Sequence, residues 1–127
     1  MKQTIATSEA PQAIGPYAQG VRAGQWVFLS GQIGLDPASG ELVAGGVGAE
    51  TERVLANLRA VLAAAGLGVE HVVRTTIYLV DLGDFARVNE VYGRVFSAPF
   101  PARATVGVAA LPRGARVEID AIAVERA

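Results

Sequence analysis

The stretch FPARATVGVAALPRGARVEIDAIAVE, Phe100 to Glu125, decides the fold. It reads as two strands, about Arg103 to Ala109 and Arg116 to Glu125, separated by the turn Leu111-Pro112-Arg113-Gly114. In the second strand Val117, Ile119, Ala121 and Ala123 fall on one face, and Glu118, Asp120, Ile122 and Val124 on the other. Neither face is cleanly polar. The side away from any covering layer is therefore expected to be partly buried too, which points to self-association.

Upstream, Ala98-Pro99-Phe100-Pro101 stops a helix that Asp84 can cap and along which Phe85, Val88, Tyr92, Val95 and Phe96 line one face. Arg74 to Val80, rich in β-branched residues and tyrosine, reads as a strand. From about Ala49 to Ala65, the residues Val54, Leu55, Leu58, Val61, Leu62 and Ala65 recur at helical spacing, and Gly66 can end that helix. The glycine-rich run Ala44 to Gly48 lacks the Lys-Ser/Thr of a phosphate loop and reads as a flexible approach to the helix. Thr4 to Ala6, Ala18 to Arg22 and Trp26 to Ser30 read as strands, the last two forming an antiparallel hairpin about Ala23-Gly24-Gln25. The order is βββαβαββ: about six strands with two helices on one face, a two-layer α+β domain. At 127 residues a single domain is expected.

Composition closes several routes. With no cysteine there is no thiolate nucleophile, disulfide or Cys-ligated metal; the one histidine, His71, cannot build a His-rich metal site. Lys2 is the only lysine and sits at the terminus, so Schiff-base catalysis is hard to assemble. A net charge of −1 with scattered arginines argues against nucleic acid as a partner. No apolar run approaches the roughly 20 residues that span a bilayer, and the N-terminus has no signal-peptide layout. No membrane association and a cytoplasmic location are expected. Hydrophobic residues make up 51% of the chain, an excess that burial between identical subunits would absorb.

Arginine, carboxylates, hydroxyls and backbone groups remain. Arg103, at the mouth of a strand and sharing a face with the small residues Thr105 and Gly107, could offer its planar fork to a small carboxylate or phosphate. On composition alone the plainer reading is a structural ion pair with Asp120 or Glu118. Asp120, mid-strand between apolar neighbours, is costly unless paired or put to use, and Glu118 on the same face competes for either role. Ser30-Gly31 could let backbone approach a ligand or be a plain strand end. Tyr17 is a pocket wall or a packed aromatic, Asn89 a solvent-facing helix residue unless an interface covers it, and His71 a surface or hydrogen-bonded residue rather than a catalytic one.

The segments AIGPYAQG (Ala13 to Gly20), FLSGQIGLDPASGEL (Phe28 to Leu42), RTTIYLVDLGDFARVNEVY (Arg74 to Tyr92), FPARATVGVAALP and VEIDAIAVE together resemble the RidA family of reactive intermediate deaminases. The resemblance runs almost the whole chain in the family's order. It implies a chorismate-mutase-like α+β fold and a homotrimer with its sheets around a central barrel and clefts between neighbouring subunits. The implied activity is cofactor-independent hydrolysis of enamines and imines such as 2-aminoacrylate and 2-iminobutanoate to 2-keto acids and ammonia. Arg103 would grip the substrate carboxylate and a carboxylate at position 120 would orient water, with Tyr17, Ser30, Gly31, Asn89 and Thr105 lining the pocket. Three departures stand out. Asp120 is one methylene, ~1.5 Å, shorter than the Glu of many active members. Thr105 replaces a common cysteine, and the Ser97-Ala98-Pro99 link looks short. The Asp120 departure leaves open a non-catalytic binder of small carboxylates or keto acids; ribonuclease or translation inhibition, associated with some relatives, is the third alternative.

Overall fold

The structure is a computed structural model and describes residues 1–125. Strands β1 (Lys2–Ile5), β2 (Gly20–Ala23) and β3 (Trp26–Gln32) precede helix α1 (Gly46–Ala64); β4 (Val72–Leu79), helix α2 (Phe85–Val95), β5 (Ala102–Gly107) and β6 (Val117–Val124) follow. The anticipated order βββαβαββ is the observed one. The six strands form one sheet in the order β1-β2-β3-β6-β4-β5, antiparallel except for the parallel pair β4 and β5. A parallel pair needs a crossover, and α2 supplies it.

Both helices lie on one face. The apolar stripe of α1, with Val54, Leu55, Leu58, Val61 and Leu62 all buried, meets Val27 and Leu29 of β3, Ile77 and Leu79 of β4, and Val117, Ile119 and Ala121 of β6. Gly66 ends α1 as expected: at φ +79° it donates to Ala63 O (2.9 Å) while the Leu67 N–H reaches Leu62 O (2.9 Å), closing a Schellman motif. At α2 the expected cap differs. Asp81, three residues earlier, accepts from Gly83 N (2.8 Å) in the single turn Leu82–Asp84, and Asp84 instead pairs with Arg116 at 3.0 Å.

The opposite face has no helix. Glu118, Asp120, Ile122 and Val124 lie there as alternation requires, beside Trp26 and Phe28 of β3, which keep 48% and 44% of their surface exposed, and Val106 of β5 at 40%. Exposed aromatic and branched side chains at this density mark an unpartnered face.

Strand order separates two of the candidate site residues. Arg103 and Asp120 do not lie on adjoining strands, because β4 runs between β5 and β6. In register, Thr75 faces Arg103 and Thr76 faces Asp120. Thr75 is fully buried under the helices and Thr76 is on the open side, so the two candidate residues project from opposite faces of the sheet.

Asn57, wholly buried in α1, ties the helix to the chain leaving β3: its amide donates to Ile33 O (3.3 Å) and Leu35 O (3.0 Å) and accepts from Arg53 Nε (3.0 Å). Asn57→Ala strands two partly buried carbonyls and should cost about 1–3 kcal/mol. Urea denaturation at fixed protein concentration checks this; an unchanged midpoint contradicts it.

Candidate active site

Two clefts hold Arg103 and Asn89 on the one hand and Tyr17, Ser30 and Gly31 on the other, and they lie apart. The first is at the sheet edge where β5 meets α2, a space of about 470 Å³ lined by Asn89, Tyr92, Gly93, Phe100, Pro101 and Arg103. The Arg103 guanidinium stacks over the rings of Tyr92 and Phe85, 4.9 and 5.5 Å from their centroids, and donates to Asn89 Oδ1 at 2.7 Å. Cation–π contacts and one hydrogen bond hold the plane of the fork while leaving further N–H groups unused. Asn89, expected to mean little alone, therefore orients Arg103. Among the described residues Arg103 has no carboxylate partner, so the structural ion pair weighed for it is not formed. Thr105 follows on the same strand face, opposite Ile77.

Beneath Arg103 the Tyr92 hydroxyl shares a buried hydrogen bond with Thr75 Oγ1 at 2.7 Å. Burial pushes the Tyr92 phenol up, against the smaller opposing effects of Thr75 and the Arg103 charge, so it stays a neutral ring under the cation.

The second cleft, about 640 Å³, opens near the ends of β3 and β6 and is lined by Tyr17, Ser30, Gly31, Ile33, Arg113 and Glu118 among others. Here the strands are out of simple register: Leu29 pairs with Ala121 but Gln32 with Ile119, so β3 carries one extra residue at Ser30-Gly31. A bulge of this kind re-aims the groups beside it. Ser30 is pinned by its Oγ to Ala18 O (2.6 Å) and by its N–H to Gln19 O (3.0 Å). Gly31 sits against the Glu118 carboxylate so closely that a Cβ at residue 31 would lie 2.1 Å from Oε2. Glycine is required by this approach rather than by its backbone angles.

The pocket carboxylate is therefore Glu118 and not Asp120. Asp120 accepts the Tyr78 hydroxyl at Oδ2 (2.9 Å) on the open face, and it is absent from the wall of either cleft. Burial, with the Asp120 charge adding, pushes the Glu118 carboxyl above the ordinary carboxylate value.

The structure thus brings Tyr17, Ser30 and Gly31 together with Glu118, brings Asn89 together with Arg103, and leaves the two groups on different sheet faces. Sequence reasoning missed the Arg103 stack on Phe85 and Tyr92, for which an aromatic pair at helical spacing was the available signal. It also missed Gln19, a buried amide that accepts from Thr7 N (2.7 Å) and donates to Pro11 O (2.7 Å), so fixing the loop that carries the cleft wall. His71 is a local brace, its Nδ1 accepting from Gly68 N at 3.0 Å. A larger cavity of about 830 Å³ under the N-terminal segment has no charged side chain in its lining. Among the described residues no group of three or more His, Cys, Asp or Glu is placed to hold a metal ion, and no helix is long and apolar enough to cross a membrane.

Comparison with known proteins agrees with this fold. The endoribonuclease L-PSP family profile matches residues 7–125. The chain is 65% identical over 125 residues to protein DfrA of Myxococcus xanthus, covering 97% of this chain and 95% of that one. It is 52% identical to the mouse 2-iminobutanoate/2-iminopropanoate deaminase, covering 98% and 93%. The crystal structure of RidA from the Antarctic bacterium Psychrobacter sp. superposes with a TM-score of 0.93 at 48% identity, covering 96% of this chain and 98% of that one.

Gly31→Ala should fold, since the clashing atom is the tip of a flexible side chain, but should drive the Glu118 carboxylate out of its place. A melting temperature within about 4 °C of wild type together with a displaced Glu118 in a crystal structure is the expected outcome. An unmoved carboxylate would contradict the contact.

Proposed function

The chain belongs to the RidA, or endoribonuclease L-PSP, family, and from that premise we propose that it hydrolyses small 2-imino acids, and the enamines that tautomerise to them, to 2-keto acids and ammonia. The observation that carries the reading is a pair of unmatched groups. Among the described residues, a stacked arginine with no carboxylate partner and a half-buried glutamate with no hydrogen-bond donor each line a cleft that the other cannot reach within one chain.

Two copies resolve this. When the open, aromatic-bearing sheet face of one chain packs against the next, Arg103 of one copy and Tyr17, Ser30, Gly31 and Glu118 of its neighbour can share a ligand. A closed homotrimer gives three such clefts and removes Trp26, Phe28 and Val106 from water. The names of the mouse relative and of other mammalian relatives support the substrate class.

The chemistry follows from the groups present. Arg103 binds the substrate carboxylate through the N–H groups that Asn89 leaves unused, fixing C2 toward the neighbour's glutamate. Backbone N–H groups at Gly31 and Thr105 complete the grip. Glu118 orients a water; its oxygen bonds to C2 as its proton passes to the imine nitrogen, giving a carbinolamine. The carbinolamine hydroxyl then passes its proton to Glu118 as its oxygen forms the C=O bond, and Glu118 hands that proton to the NH2 group, so that the C–N bond breaks and the nitrogen leaves as ammonia. Atoms balance with water alone and no electron changes hands, so the reaction itself calls for no cofactor. A mere carboxylate binder is not favoured, because its motive was a misplaced carboxylate at residue 120. RNA cleavage is not favoured either, since Glu118 and Asp120 are acidic and the exposed groups beside them on the open face are apolar.

Loss of 2-iminobutanoate generated in situ by a threonine dehydratase tests this. Arg103→Ala and Glu118→Gln should each slow it by roughly a hundredfold or more, whereas Asp120→Asn should keep activity within about tenfold. Undiminished turnover in Arg103→Ala would sink the assignment.

A further inference from the structure

Asp120 is left without a part in the reaction, yet its surroundings are specific. It shares the open face of β6 with Glu118, two residues away. Across the strand boundary Glu118 pairs in register with Tyr78, and Asp120 with Thr76. The Tyr78 hydroxyl passes over its own cross-strand neighbour and donates diagonally to Asp120 Oδ2 at 2.9 Å. Tyr78 thereby withholds from Glu118 the nearest donor on β4 and anchors the carboxylate of Asp120 beside it.

The other groups facing Glu118 do not compensate. The bulge of β3 presents Gly31, which has no side chain, and Ser30, whose Oγ is already given to Ala18 O. Tyr17 and Arg113 line the same cleft, but Nη2 of Arg113 is held by Gly40 O at 3.1 Å. The helices lie on the far face. Among the described residues the Glu118 carboxylate receives no hydrogen bond, and its one close charged neighbour is of like sign.

We infer that Asp120, anchored by Tyr78, is a positioning residue that holds a like charge beside Glu118, so that Glu118 keeps a proton where an isolated carboxylate would release it. This rests on the imine-hydrolysis reading and deepens it by supplying the acid that the departing nitrogen needs. In the proposed assembly the Arg103 of a neighbouring copy acts in the opposite sense, and the substrate carboxylate that it grips offsets it. The elevated Glu118 carboxyl, with burial as its first cause and Asp120 as its second, agrees in direction. The Tyr78 phenol is likewise pushed up, first by its hydrogen bond to Asp120.

Carboxyl-carbon NMR titration of Glu118 in the intact protein, with Glu118→Gln to assign the signal, tests the inference without relying on turnover. A like charge roughly 7 Å away along a strand raises the Glu118 midpoint. Asp120→Asn and Asp120→Ser should each lower that midpoint, and Asp120→Glu should restore it. The limb of the kcat/KM profile that Glu118→Gln abolishes should move to lower pH in step, with KM unchanged. A midpoint that stays put in both Asp120→Asn and Asp120→Ser overturns the inference even if imine loss depends on Glu118. A midpoint that moves while no variant, nor wild type, hydrolyses the imine upholds it and removes the deaminase reading alone.

Discussion

A six-stranded sheet has two faces, and this chain has helices for one. α1 and α2 bury Val54, Leu58, Val61, Leu62, Val88 and Val91 against the inward residues of β3, β4 and β6, and that contact is the core. A fully buried side chain of this size contributes roughly 1.5–3 kcal/mol, so the helix-covered face accounts for most of what holds the chain folded. The other face carries Trp26, Phe28, Ile122 and Val124 toward solvent in the isolated chain. Everything proposed about assembly and chemistry follows from that asymmetry.

The same asymmetry divides the site. Placing β4 between β5 and β6 sends the arginine to the helix side at one sheet edge and the glutamate to the open side. Had the two been neighbours on one face, they would have neutralised each other as a structural ion pair, leaving neither for a ligand. Separation keeps Arg103 stacked and Glu118 half-buried, each without a charge partner among the described residues, and in the proposed assembly a second copy closes the cleft. An unmatched charge inside a chain is costly, and here that cost is met by solvent in the monomer and by substrate and partner in the proposed assembly.

Much of this architecture is legible in the sequence because it depends on local period. The inward set Val117, Ile119, Ala121 and Ala123, the stripe of α1 and its Gly66 stop, and the hairpin at Gly24 are all where alternation and helical spacing put them. Strand order is not local: nothing in residues 100–125 says that β6 inserts between β3 and β4 rather than pairing with β5 across a short turn. The choice between Glu118 and Asp120 was equally beyond the pleat, since residues two apart share a face. The resemblance was carried onto Asp120, whereas the carboxylate that lines a cleft is Glu118. What separates them is the extra residue of β3 at Ser30-Gly31, which brings a bare backbone against Glu118, and the diagonal reach of Tyr78 to Asp120. Both are tertiary facts without a sequence period.

The central claim is that one site is built from two chains, and mixed assemblies test it most directly. Arg103→Ala and Glu118→Gln are co-expressed with different affinity tags, and the doubly tagged species is compared with each variant alone. In a doubly tagged closed trimer, whichever variant contributes two copies, one cleft in three receives an intact arginine and an intact glutamate, so the account predicts recovery of about a third of wild-type activity. Activity no greater than that of the separate variants would place both groups' work within a single chain and contradict it.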